Sequence, residues 1–132
     1  MYNHTVKAIL RWLLTLGEDK LRYVVARALF KIPADVVELV VEGCLFFMPT
    51  IEGKSTYLPL SVIRGKPIIG VPESLLDEPE EVVDRTIIHE VAHFVLKHKD
   101  PAVDGLTTEE YEEQERRADS LVDQWLQQSD EA

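Results

Sequence analysis

The chemistry most plainly written into this sequence lies in His89-Glu90-Val91-Ala92-His93. Residues four apart stand one turn above the other on a single helix face, so His89 and His93 can aim imidazole nitrogens at one point. Neutral imidazole is a good zinc ligand. Glu90 is rotated about 100° from His89, where it can approach a zinc-bound water without being a ligand itself. That placement suits a general base. The stripe Val82, Thr86, His89, His93 and Leu96 directs both imidazoles inward. A buried, unpaired imidazole pair is costly, and a metal removes the cost. The plainer alternative is two ordinary histidines on an ordinary helix.

A catalytic zinc needs three protein ligands and one open position. His4 is distant and lies near the N-terminus. His98 follows His93 by five residues, half a turn off the ligand face, where a cation at a helix C-terminus would be favoured. The last helical segment offers a carboxylate. Tyr111, Ala118, Leu121, Val122 and Trp125 define its apolar stripe, and Glu115 falls inside that stripe. Glu113 falls on the opposite face and Glu112 beyond the edge. A carboxylate aimed at a core demands a partner, and a shared cation would supply it. An ion pair with Arg116 or another arginine is the alternative. Asp119, one turn on, can accept the free N–H of a ligand histidine.

An H-E-x-x-H helix followed by a helix carrying E-x-x-x-D, here Glu115-Arg116-Arg117-Ala118-Asp119, resembles the gluzincins, the zinc peptidases typified by thermolysin. The small size and short strand region resemble the minigluzincins and the ImmA/IrrE-type peptidases. The resemblance covers about 68–125. It implies a zincin-like fold, zinc ligands His89, His93 and Glu115, support from Asp119, and Glu90 as catalytic base. The chain is too short for the second lobe of thermolysin-like enzymes. Leu96 and Lys99 stand where the metzincin pattern needs a glycine and a histidine.

The implied function is zinc-dependent hydrolysis of peptide bonds, a metalloendopeptidase acting on a peptide or protein substrate. Strand 68–71 leads into the active helix, and by analogy its edge would bind extended substrate. Tyr111 and Tyr57 are candidate oxyanion donors, although the simpler expectation packs both in the core. The rival from another class is a zinc-bound regulatory or binding module without turnover. A third possibility is a helical interaction domain without metal.

Several elements must position these residues. Thr5–Leu16 carries a helical period ended by Gly17. Leu21, Val24, Val25, Ala28 and Leu29 give a second helix stopped by Pro33, and Asp35–Val41 a third, closed by Gly43. Cys44–Met48, Tyr57–Ile63 and Ile68–Val71 read as three strands of a meander, with a tight hairpin at Arg64-Gly65-Lys66. Pro79 to about His98 reads as one long helix. Thr107 with Glu110 is a capping-box pattern opening a last helix, about 108–128. The expectation is one α+β domain, 1–132: N-terminal helices, a small three-stranded sheet, the active-site helix and the glutamate-bearing helix.

The 132 residues suit a single core. With a net charge of -10, and ten acidic residues against two basic ones from Asp104 onward, nucleic acid and anionic membrane are unsuited as partners. There is no spanning run of apolar residues, and Arg11 breaks the apolar N-terminal stretch, unlike a signal peptide. The single Cys44 reads as a core hydrophobe of a cytoplasmic protein. Trp12 and Trp125 read as core residues, and oligomeric state is not legible.

Overall fold

The computed structural model describes residues 9, 13, 15–16, 19–48, 56–58, 66–99 and 104–131. It is α+β. In chain order come β1 (Thr15–Leu16), α1 (Asp19–Leu29), α2 (Ala34–Gly43), β2 (Leu45–Phe47), β3 (Thr56–Leu58) and β4 (Ile68–Gly70). A 3-10 turn (Glu73–Asp77), α3 (Glu80–Val95) and α4 (Thr108–Glu131) follow.

Among the described residues the sheet has four strands in the order β1-β2-β4-β3, where the sequence suggested three. Nor is it a meander. β2 runs parallel to β4, with Phe46 beside Ile69, and only β3 pairs antiparallel, with Tyr57 beside Ile69. The extra strand comes from a segment whose apolar spacing is helical. Ile9 is helical and Leu13 N–H donates to its carbonyl at 3.1 Å. Thr15 and Leu16 nevertheless leave the helix and pair parallel with Phe46 and Phe47. Two residues beside a buried strand gain ladder hydrogen bonds that outweigh a weak helical preference. The rest of that first helix, Trp12 and the turn at Arg64-Gly65 lie outside the described residues.

The sheet and helices share one core. Phe46, Ile69 and Val71 meet Leu21, Val25 and Leu29 of α1 and Ile87, Ile88 and Val91 of α3. From α4 come Ala118, Val122 and Trp125, so Trp125 is a core residue as expected, and Cys44 is buried too. Two devices fix α3, the helix that matters most for the site. The first is close packing. Gly43 ends α2 against Phe94, where an added Cβ would stand 3.0 Å from the Phe94 ring. The second is polar. Asp84 on α3 is only 2% exposed and meets two cations of the α1 region. Arg27 donates to Oδ1 from Nε at 2.9 Å, and Lys31 Nζ lies 2.7 Å from Oδ2.

Chain ends of the two site helices are equally specific. α3 begins after Pro79 with Glu80 and Glu81 in its first turn, where negative charge suits the helix dipole. It stops earlier than the spacing suggested. Lys97 turns left-handed at φ 56°, and His98 N–H closes back on the His93 carbonyl at 3.0 Å. α4 opens with the expected box. Thr107 N–H donates to Glu110 Oε1 at 3.0 Å, and Glu110 N–H donates to Thr107 Oγ1 at 3.1 Å.

Asp84 can be compared with an exposed pair that joins α3 to α4, Arg85–Asp123. Truncating Asp84 to Ala should cost about 2–3 kcal/mol, since it removes charged hydrogen bonds and leaves half-exposed cations that water can serve. Asp123→Ala should cost under about 1 kcal/mol. Urea denaturation of both variants checks the ranking.

Candidate metal centre

His89 and His93 sit one turn apart on α3, with ring centroids 4.7 Å apart and planes nearly perpendicular. Their Nε2 atoms converge to 3.1 Å. α4 crosses them and presents Glu115 between the two. Its Oε2 lies 3.0 Å from His89 Nε2, and its Oε1 lies 3.0 Å from His93 Nε2. The three residues expected from the sequence thus form one cluster with donor atoms within 4.8 Å. Asp119 falls where expected as well, its Oδ1 2.9 Å from His89 Nδ1. Glu115 does not take the arginine alternative: Arg116 and Arg117 both turn to Glu113 instead.

The depth of the site differs from the expectation. The stripe through Val82 and Leu96 is not interior, since both side chains are exposed. The core side of α3 is carried by Val83, Ile87, Ile88 and Val91. The histidines therefore lie along the seam between core and solvent, and α4 covers them. His93 is buried, and His89 is partly open.

Lone pairs test whether a cation fits. Asp119 accepts from His89 Nδ1, so in a neutral ring Nε2 carries a lone pair. Burial, followed by His89 nearby, pulls the His93 pKa down to about 4, so His93 is neutral at ordinary pH. With Glu115 as a carboxylate, any placement of protons leaves two N–H groups or two lone pairs facing each other. One cation among the three donors removes the conflict. The separations of 3.0, 3.0 and 3.1 Å are close to the spacing of about 3.4 Å expected for ligands roughly 2.1 Å from a tetrahedral ion. Two imidazoles and a carboxylate fit zinc by donor type and number.

Glu90 stands apart from the ligand set. It is buried, and burial, then the Glu115 carboxylate, push its pKa up to about 8. A cation beside it would draw that value back down. A carboxyl poised near neutrality, close enough to Glu115 to feel its charge, has the properties a proton carrier needs.

Tyr57 and Tyr111 part company. Tyr57 stacks edge-on against Phe94, ring centroids 6.3 Å apart, and burial raises its pKa to about 12. It packs with the core, as the simpler expectation had it. Tyr111 does not: it is exposed. The Glu115 carboxylate is the largest cause of its raised pKa, with burial and then Glu90 adding to it, so its phenol lies near enough to both carboxylates to feel their charge.

Two contacts escaped sequence reasoning, which had placed His98 only at the end of its helix. The imidazole of His98 is buried and lies against His93, Nδ1 to Nδ1 at 2.7 Å; its backbone, not its side chain, closes the helix. Gln114 accepts from Lys99 N–H at 2.8 Å and donates to the Lys99 carbonyl at 3.1 Å, tying the loop after α3 to the residue before Glu115. A five-residue spacing does not signal contact on a helix. It is the left-handed turn at Lys97 that folds His98 back.

No family model, curated protein or solved structure matches this chain.

The raised pKa of Glu90 has a consequence for the cation-free protein. Its carboxyl prefers the proton in the fold, so its contribution is intact below about pH 4.5 and is lost as pH rises through about 8. In the presence of a chelator, stability near pH 9 relative to pH 5 should fall further in the native chain than in Glu90→Gln, by a difference on the order of 4 kcal/mol. Chemical denaturation at both pH values measures it. Equal pH dependence in the two proteins contradicts the assignment.

Proposed function

We propose that this chain is a zinc-dependent metallopeptidase of gluzincin type and zincin-like fold, hydrolysing peptide bonds. The observation that carries the proposal is the convergence of His89, His93 and Glu115 with a buried Glu90 carboxyl left beside the donor set. A purely structural metal site needs no such group. Three protein donors also leave a fourth position for a reactant.

Zinc held by His89, His93 and Glu115 would supply Lewis-acid chemistry, acidifying water and polarising a carbonyl. The chain's own residues do the rest. Asp119 accepts from His89 Nδ1 and so keeps the Nε2 lone pair toward the site. Glu90 takes the proton from the attacking water and delivers it to the leaving amine. Its buried setting keeps bulk water from competing for that proton. Tyr111, exposed and within the electrostatic reach of Glu115 and Glu90, is the better placed of the two tyrosines to donate to a developing oxyanion.

The strand assigned to substrate must change. β4 is hydrogen-bonded on both sides, to β2 and to β3, and has no free edge for a peptide. Among the described residues the sheet ends in β1 on one side and β3 on the other, and it is β3 that Tyr57 joins to Phe94 of the active helix. An extended substrate pairs with β3. Among the described residues no helix is long and apolar enough to cross a membrane. The lone buried Cys44 supports a reducing, cytoplasmic setting.

Zinc-loaded protein should cleave casein or a peptide library. Glu90→Gln should hold as much zinc and cleave about 10²–10⁴-fold more slowly. Glu115→Ala should lose most of its zinc and its cleavage together. Full zinc content with no cleavage by the native chain would instead establish a binding module. Tyr111→Phe should lower kcat up to about 10²-fold with KM and zinc content unchanged. An unchanged kcat removes Tyr111 from the mechanism.

A further inference from the structure

The most unusual polar contact outside the donor set is the one between two buried histidine rings. His98 is 9% exposed and His93 7% exposed, and their Nδ1 atoms are 2.7 Å apart. The rings meet edge to face, with centroids 5.0 Å apart. A separation that short requires one hydrogen between the two nitrogens. Which ring owns it decides what His93 can do. If His93 Nδ1 is the donor, its Nε2 presents a lone pair toward His89 and Glu115. If His98 Nδ1 is the donor, a neutral His93 carries its hydrogen on Nε2 and cannot bind a cation there.

We propose that His98 is a positioning residue that accepts the Nδ1–H of His93 and so holds that ring in its cation-binding tautomer. This rests on the metal reading given above. It makes the two ligand histidines symmetric in function but not in means. Asp119 accepts from His89, and His98 accepts from His93. The buried ligand has the neutral acceptor, and the partly open one has the carboxylate. A carboxylate at the His98 position would place a further negative charge near Glu115, at a site where burial already makes charge expensive.

The surrounding chain is built to keep His98 there. Lys97 adopts φ 56°, a left-handed conformation that reverses the chain after α3. His98 N–H then bonds the carbonyl of His93, so the backbone and the ring both address the same residue. Lys99 is held from the other side by both polar groups of the Gln114 amide. The loop is thereby anchored at one end to a ligand histidine and at the other to the neighbour of the ligand glutamate.

The test uses two substitutions on the full chain. His98→Phe keeps ring size and removes the acceptor. His98→Asn places a carbonyl oxygen near the position of Nδ1. Zinc affinity is read by competition with a chromophoric chelator, with circular dichroism as a check on folding. His98→Phe should bind zinc about 10–100-fold more weakly and His98→Asn within about threefold of the native chain. A folded His98→Phe that binds as tightly as the native chain overturns the proposal. So does a His98→Asn variant as weak as His98→Phe, since an acceptor at that position would then not restore the site. A native chain that takes up no zinc overturns the metal reading, and this inference with it. If His98→Phe does not fold, a long-range proton–nitrogen spectrum of the zinc-loaded native chain decides. Hydrogen on His93 Nδ1 with a bare His98 Nδ1 is expected, and the reverse assignment overturns the proposal.

Discussion

Three electron-pair donors brought together between two helices are the constraint on which the rest of this structure turns. Two of them, His89 and His93, come from a single helix and need only its regular rise to align. The third, Glu115, comes from another helix and aligns only if α4 has the right rotation about its own axis. That rotation is set at two places. The reciprocal Thr107–Glu110 bonds fix where the first turn begins. Ala118, Val122 and Trp125 fix which face goes down. A shift of one residue along α4 would swing Glu115 away by about 100° and bring Gln114 or Arg116 to the histidines in its stead.

α3 is correspondingly restrained. Phe94 wedges against the space left by Gly43, and Asp84 draws in Arg27 and Lys31 from the helix region beneath. A helix that must hold two rings in fixed orientation gains from contacts at both ends, because a rotation of either end would separate the nitrogens. Packing supplies the restraint at the C-terminal end and buried charge supplies it nearer the N-terminal end.

Much of this was legible in the residues. Four-residue spacing put His89 and His93 on one face, and the apolar stripe of α4 singled out Glu115 among the five glutamates from Glu109 to Glu115. Local rules sufficed because both patterns lie within single helices. The misses have a common cause, which is partnership with distant chain. Thr15 and Leu16 are strand because Phe46 and Phe47 lie beside them, and no local spacing announces that neighbour. The seam position of the histidines depends on how α4 covers α3. The turn of His98 back onto His93 depends on a backbone conformation at Lys97 that lysine rarely adopts. Tyr111 belonged to an apolar stripe by spacing, yet that end of α4 extends past the core.

The donor set divides unequally between the helices. α3 keeps both nitrogens whatever α4 does, while the oxygen arrives only when α4 is docked. An ion held there would therefore also be a clasp, closing a long C-terminal helix onto the body of the molecule. Its escape would require that helix to lift, so residence time on the protein would report how firmly Trp125 and Val122 hold α4 to the core.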